Sequence, residues 1–581
     1  MALPTKRVLP HVLIKSKHSL RDLAPLLLVA VVFLAFAQQW TWGKADGLPI
    51  NDVISSDGKG YYKYLPSIFI DQNFGLEPED QRYLFKTPHG VASKYNAGTA
   101  LAIAPFFGLT YIYHLLKAEA VRGYGPTFQK SVGVAALFYL LLGLFFVSKT
   151  LVLFGFGRPT INAVLLLLAF GTGLTIYTLQ SPAFSHIYSF CAIAALLYFV
   201  KRFARHGDTL SLLLCAGTFG FVLFIRPFNG LILFALPFVL GSRAELNMLL
   251  QKALAKPWRL LAGFVLAISL ALMQTGVWYY QTGQLMLWGY GGEGFYFDRP
   301  AFWQTLFGFR KGLFIYSPLL LLAFACLLPR SPAMIFAKFS FVGFFCLLIY
   351  FVSTWWIWYY GPGFGQRVVV DFLPVFAIAM AFGLRAIFVK SAEQSAGHTP
   401  YVKAGRVALV ALMVALLALN LVQSYQYHVG IISAWDMDST KYRYTFLKVG
   451  DEYRNVLGGN QDMMPYHQEK KVVFQCMADF ESPESSFETR DFWQLPGRQN
   501  RVSDYRGKEF NTVLRIAIDT SYITGKNLHL SVAFDKYEIT PGQLHEDALF
   551  VLALESNKGE QYSHYTFNIN EIPIFETGRW E

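Results

Sequence analysis

Charge is what this 581-residue sequence has least of: 15% of its residues are Asp, Glu, Lys or Arg, where soluble domains carry about 25%. A chain so poor in charge cannot clothe an ordinary water-facing surface, which excludes a purely soluble protein. Cysteine is scarce as well. Of the five cysteines, Cys191, Cys215, Cys326 and Cys346 lie inside apolar runs and Cys476 stands alone in a polar stretch. That pattern offers neither a disulfide framework nor a zinc-ligand spacing. No small-residue cleavage site follows the first apolar run, so it reads as a retained span rather than a removed signal. Internal repeats and long low-complexity tracts are missing too. What is present is 54% hydrophobic and 17% aromatic content, concentrated in runs of membrane-spanning length. The fold class expected is a polytopic α-helical membrane protein of about 11–12 membrane segments. The net charge of +12 does not imply nucleic acid, because much of the Lys and Arg sits in short loops between apolar runs.

Those loops fix an expected orientation. Lys6, Arg7, Lys15, Lys17 and Arg21 precede the first run, placing the N-terminus in the cytoplasm of a bacterial-type inner membrane. Lys201, Arg202 and Arg205 mark one later cytoplasmic loop. Arg243, Lys252, Lys256 and Arg259 mark another, followed by Arg330 with Lys338 and by the stretch from Arg385 to Arg406. The loops 282–312 and 357–367 and everything after 428 then lie outside. One stretch breaks the alternation. Between 97 and 203 four apolar segments stand where an odd number of crossings is needed, and the segment expected not to cross falls in 131–180, where Lys149 and Arg158 bracket a Gly-containing break.

After about residue 430 the composition turns polar. Short stretches alternate with period two, for example Leu528, Leu530, Val532 and Phe534, the signature of half-buried strands. The organisation expected is a catalytic transmembrane domain over 1–430 with an external loop at 43–96, a partly helical linker over 431–470, and an extracytoplasmic, jelly-roll-like β-sandwich over 471–581.

Several polar residues stand out against the apolar background. Asp57, in "SSDGKGYYKYL", is either a helix N-cap or a catalytic base. Beside it, Tyr61, Tyr64, Leu65 and Ile68 share one helical face, suited to lying in the membrane interface with Tyr62 adjacent. The stretch "FKTPHGVASKYNAGTALAIAPFF" gathers His89, Lys94, Tyr95 and Asn96, either an interfacial belt or a phosphate or sugar clamp. His186 interrupts an apolar region in "SPAFSH". Arg226 ends a span in "FIRPFNG", and an arginine there signals function unless it reaches water at the interface. Arg310 and Lys311 open another span in "RKGLFIYSP". Finally, "WWIWYYGPGFGQR" sets Trp355, Trp358 and Tyr360 before a glycine-rich turn, then Gln366 and Arg367. The aromatics suit either a membrane belt or the apolar faces of sugar rings. Arg367 is either an i,i+4 partner of Asp371 or a ligand contact. All these cations fall on the external side under one topology. A single carboxylate among cations at a bilayer surface suits an anionic lipid-linked donor: the carboxylate takes the acceptor's proton while Arg or Lys neutralises a departing phosphate.

The order of these motifs over roughly 1–430 resembles the GT-C superfamily of integral-membrane glycosyltransferases, such as protein O-mannosyltransferases and aminoarabinose transferases. The resemblance implies transfer with inversion from a polyprenyl-phosphate sugar to a glycan, lipid or protein acceptor, with the loop acid, Asp57, as base. Several members of that superfamily carry two close acids in this loop. Here Asp52 and Asp71 stand apart from Asp57, so no cofactor is expected and a bound divalent metal is not favoured. A lipid-linked-sugar transporter or flippase and a non-catalytic envelope scaffold are the alternatives. A transporter usually places its ionisable residues near the bilayer midplane, whereas these collect at one face.

Overall fold

The computed structural model describes residues 23–42, 53–74, 84–87, 90–119, 121, 123–290, 293–328, 334–389, 400–435 and 437–454, together with short strands beyond 486. It divides into two units, the first comprising residues 1–428 and 437–449, the second 429–436 and 450–581.

The first unit is a bundle of apolar helices. Eight helices are long and apolar enough to cross a membrane among the described residues. The chain's polar contacts define two ends. At the basic end, Arg205 donates to the Leu153 carbonyl, Lys201 donates to the Leu240 carbonyl and Glu245, Lys252 donates to the Ala204 and Arg205 carbonyls, and Lys338 donates to the Leu327 carbonyl. These bonds cap the exposed carbonyls of helix C-termini with cations, the arrangement that helix dipoles favour. At the opposite end lie Asp57, His186, Arg226 and Arg367.

Helix α1 (Ala24–Ala37) leads towards that second end. There the short helices α2 (Asp57–Tyr62) and α3 (Tyr64–Phe69) follow, then a hairpin of β1 (Leu84–Thr87) and β2 (Gly90–Ser93). Helix α4 (Gly98–Leu116) comes next. Its N-terminus lies against Phe224 and Ile225, and its C-terminal turn binds Thr127 through His114. Along the way its rings meet α5 (Pro126–Leu153) in the half that begins at the site end, Phe106 against Phe138 and Tyr139, and Phe107 against Phe128. Both ends of α4 therefore stay at the site end. Of the four segments between 97 and 203, α4, outside the expected 131–180, is the one whose two ends lie together. Helices α6 (Arg158–Phe170) and α7 (Leu174–Leu179), broken at 171–173, do run from the basic end back to the site. Hydropathy reports apolar length but not direction, so the two cases look alike in sequence.

The chain then returns through α8 (His186–His206) and rises in α9 (Thr209–Ile225), which Asp208 caps by accepting from the Ser211 amide. Three returns from the site begin as 3₁₀ helix: Pro227–Ala235, Pro318–Leu327 and Arg367–Phe372. All three exceed the usual length of 3–4 residues for such helices. The first continues into α10 (Leu236–Leu240), and α11 (Arg243–Leu254) crosses the basic end. Helices α12 (Pro257–Ala271) and α13 (Met273–Thr282) rise together; α14 (Phe302–Phe307) and α15 (Leu313–Tyr316) follow at the site end. The bundle closes with α16 (Ile335–Ser353), α17 (Leu373–Leu384), α18 (Pro400–His428) and α19 (Ser439–Thr445).

In the second unit, the described strands form three antiparallel pairs: β3 (Phe487–Thr489) with β6 (Thr512–Leu514), β4 (Phe492–Gln494) with β5 (Arg501–Ser503), and β7 (Leu549–Glu555) with β8 (Gln561–Asn568). Most of the stretch expected to form a sandwich, including the alternating residues Leu528 to Phe534, lies outside the described residues, and these pairs alone do not show that fold.

The face of α2 and α3 expected to meet the membrane interface instead turns into the protein. Tyr61, Tyr64 and Leu65 are buried, and only Ile68 and Phe69 of this pair of helices are exposed. The reason is Gly58. A Cβ at that position would come within 2.8 Å of the Ala183 Cβ, so glycine lets α2 press against the turn before α8. That contact seats Asp57. Gly58→Ala should therefore push α2 outward by overpacking, at a cost of ~1–3 kcal/mol, and lower turnover about tenfold or more through misplacement of Asp57. Adding Ala183→Gly should restore it. Thermal unfolding and turnover of the single and double variants check this; no rescue in the double variant would mean that Gly58 serves some other purpose.

Candidate functional site

Asp57 is the first residue of α2 and not its N-cap; Ser56 holds the cap position, at φ 49°, without a side-chain capping bond. The Asp57 carboxylate turns away from its own helix. Its Oδ2 lies 2.7 Å from Nη2 of Arg367, with the two side chains 20% and 12% exposed. Tyr95 hydrogen-bonds the same carboxylate, and Lys94 and His186 add positive potential. Burial by itself pushes this carboxyl up, but Arg367, Tyr95, Lys94 and His186 together outweigh it and hold the group below its ordinary value. The neighbouring phenols respond in the opposite sense. Burial, with the Asp57 charge beside them, raises Tyr95 well above the usual phenol value, and burial raises Tyr61.

Arg367 does not pair with Asp371. The segment Arg367–Phe372 is 3₁₀, and at three residues per turn positions i and i+4 diverge by about 120° instead of sharing a face. Asp371, with no exposed surface, accepts instead from two distant segments: its Oδ1 is 2.7 Å from His186 Nδ1, and its Oδ2 is 3.2 Å from Arg226 Nη1. His186 is buried, with the Tyr177 ring edge-on at 4.9 Å. Asp371 was absent from the candidate residues. A carboxylate in an apolar run is by default a functional signal, and that was the clue available for it.

The glycine-rich turn is built to close tolerances. Gly363 (φ 157°) and Gly365 (φ 55°) adopt backbone that side chains disfavour, and a Cβ on Gly363 would meet the Tyr177 hydroxyl at 2.8 Å. That hydroxyl sits 3.0 Å from both the Phe364 amide and the Phe364 carbonyl, donating to the carbonyl and accepting from the amide. Buried Lys311 donates to the Gly363 carbonyl, and Arg367 Nη1 donates to the Pro362 carbonyl at 3.3 Å. Lys311 thus supports the turn from below. Gln366 donates to the Trp358 carbonyl at 3.1 Å, while its own buried carbonyl oxygen has no partner among the described residues.

Lys94 forms an ion pair with Glu293 at 2.6 Å and lies over the Tyr290 ring. Tyr290 and Glu293 come from the Gly-rich stretch "WGYGGEGFYF" and were not among the candidates. Trp355 stacks parallel to Tyr360 at 6.2 Å and meets Tyr290 edge-on. Tyr61 and Tyr95 pack at 4.5 Å, and Ser185 donates to the Tyr61 hydroxyl.

Asp57, Lys94, Tyr95, Tyr61, His186, Arg226 and Arg367 are thus brought together, with Trp355, Tyr360 and Gln366 around them. Others stand apart. Tyr62 is fully buried between Phe107 and Tyr124 and donates to the Gly123 carbonyl. Arg310 stacks on Tyr359 at 3.6 Å. Asn96 is half-buried at the foot of α4. His89 lies outside the described residues. No group of three or more His, Cys, Asp or Glu side chains is disposed to hold a metal ion among the described residues.

A carboxyl held low by its partners stabilises the fold while ionised, above the ordinary Asp value near 3.9. That contribution is lost as pH falls through the depressed native value. The difference in melting temperature between wild type and Asp57→Asn should therefore stay constant from about pH 8 to 5 and shrink only below about pH 4. A difference that already collapses at pH 6 contradicts the depressed value.

No protein-family model and no curated protein matches the sequence. Solved structures similar to the chain include the oligosaccharyltransferase AglB of Archaeoglobus fulgidus in complex with an inhibitory peptide and a dolichol-phosphate, with TM-score 0.44 and 12% identity over 78% of this chain and 62% of that one. The apo form of the Archaeoglobus fulgidus oligosaccharyltransferase matches with TM-score 0.42 and 13% identity over the same shares. The chain therefore spans less than two thirds of the length of these proteins.

Proposed function

We propose that this chain is a membrane glycosyltransferase of GT-C type that moves a sugar from a polyprenyl-phosphate donor to an acceptor at the site end. The observation that carries this reading is the pairing of Asp57 with Arg367 beside a second arginine, Arg226, all where apolar helices end. The site end is taken as extracytoplasmic because the capping lysines and arginines gather at the other end, which the positive-inside bias assigns to the cytoplasm.

The chemistry is a single displacement. Asp57 removes the proton from an acceptor hydroxyl or amide. The acceptor atom bonds to the anomeric carbon from the face opposite the phosphate. The bond from that carbon to the phosphate oxygen breaks, its electron pair leaving with the phosphate, and the anomeric centre inverts. Arg367 and Arg226 stabilise the charge that develops on the leaving oxygen. A polyprenyl phosphate is a competent leaving group, so no general acid is required of the protein. Tyr290, Trp355 and Tyr360 offer aromatic faces for the sugar, and the acceptor is a glycan, lipid or protein.

Incorporation of labelled sugar from a polyprenyl-phosphate donor tests the reading. Asp57→Asn should lower transfer by about 10²–10⁴-fold, the usual loss when a general base is removed, while the protein stays folded and inserted. Near-normal transfer by Asp57→Asn would leave the residue a structural partner of Arg367. Chelators should leave transfer unchanged, since hard cations want several oxygen ligands and the loop sequence sets Asp52 and Asp71 apart from Asp57. Inhibition by EDTA that magnesium or manganese reverses would contradict that part of the proposal.

A further inference from the structure

The base and the phosphate-binding cation of this mechanism are bonded to each other. Asp57 and Arg367 share a 2.7 Å ion pair, and a carboxylate so engaged is a poor proton acceptor. Arg367 Nη1 already donates to the Pro362 carbonyl, so a phosphate that binds the end of this guanidinium competes with the Asp57 carboxylate for Nη2. Resting on the reading above, we infer that the Asp57–Arg367 pair is a latch. The donor's phosphate takes the place of the Asp57 carboxylate on Arg367 and so frees the base only when a leaving group is present.

Four features of the site make the exchange workable. Arg226 is a separate receiving cation. Its Nη1 is tied to fully buried Asp371, and among the described residues no hydrogen bond engages its other two nitrogens, so they remain for an incoming anion. Arg226 reaches Asp371, in the same 3₁₀ segment that Arg367 opens, and an anion set between the two arginines meets positive charge from both. The Arg367 guanidinium lies 5.4 Å from the Phe184 ring centroid, a flat apolar surface over which it can turn without losing packing. Tyr95 continues to hold the Asp57 carboxylate once the guanidinium lets go, so the base stays placed. The exchange also has a protective sense. Without donor, Asp57 stays neutralised and does not draw a proton from water or acceptor.

A latch makes a counterintuitive prediction about affinity. Because the carboxylate competes with the ligand for Arg367, removing it should tighten phosphate binding even as it abolishes transfer. The probe is farnesyl phosphate, with farnesol as the neutral control, measured by equilibrium binding to full-length protein in detergent. Asp57→Asn should bind farnesyl phosphate roughly threefold to tenfold tighter than wild type, the scale of a partly exposed ion pair. Farnesol binding should not change. Arg367→Gln should bind the phosphate more weakly, and in that background Asp57→Asn should have no further effect, because the competition needs both partners. Asp57→Ala, which leaves no amide beside the guanidinium, should reproduce the gain if the asparagine variant folds poorly.

The outcomes separate the latch from the reading beneath it. Unchanged or weaker phosphate binding by Asp57→Asn and Asp57→Ala overturns the latch while leaving a phosphate donor standing. A gain that persists in the Arg367→Gln background marks general repulsion of the anion and overturns the latch as well. If wild type and both Asp57 variants bind farnesyl phosphate no better than farnesol, the phosphate donor and the latch fail together.

Discussion

A carboxylate with no exposed surface, Asp371, holds the site end of the bundle together. Burying such a charge costs several kcal/mol unless opposite charge and hydrogen bonds meet it. His186 opens α8, Arg226 ends α9, and Asp371 begins the return through α17, so satisfying one carboxylate draws three helix ends to a point. Losing either partner leaves a buried charge incompletely matched. That requirement, more than any apolar contact, fixes where Arg226 points and therefore what an incoming anion meets.

Around that point, the second acid is treated differently. Asp57 is partly exposed, reaches the site on a six-residue helix, and pairs with an arginine whose backbone follows a glycine-rich turn. Tyr177 and Lys311 grip that turn through its backbone atoms. One carboxylate is thus locked by burial and the other held by a pair that a ligand can contest. The contrast assigns them different work: Asp371 positions, Asp57 reacts.

Much of this was legible in the sequence because polar residues are conspicuous in an apolar chain. Asp57, Arg226, His186 and Arg367 stood out for that reason, and their segments do meet. The pairing between them was hidden. Arg367 and Asp371 looked like helical neighbours at i,i+4, but the 3₁₀ winding of that segment turns them apart, and sequence spacing does not report winding. The interfacial face read from Tyr61, Tyr64 and Leu65 had the right period but the wrong partner, since helical periodicity cannot tell lipid from protein. The fate of α4 was likewise open, because only contacts such as His114 with Thr127 reveal that both its ends stay on one side. Tyr290 and Glu293 escaped notice in a loop with no periodicity to read.

The central claim is that an anionic lipid head group sits between Arg226 and Arg367 with Asp57 beside it. A cryo-electron microscopy structure of the protein with a bound polyprenyl phosphate tests it most directly. The account predicts phosphate density within hydrogen-bonding distance of both guanidinium groups, with the Asp57 carboxylate turned off Arg367 and still on Tyr95. Phosphate density lodged elsewhere, with the Asp57–Arg367 pair intact, would contradict it.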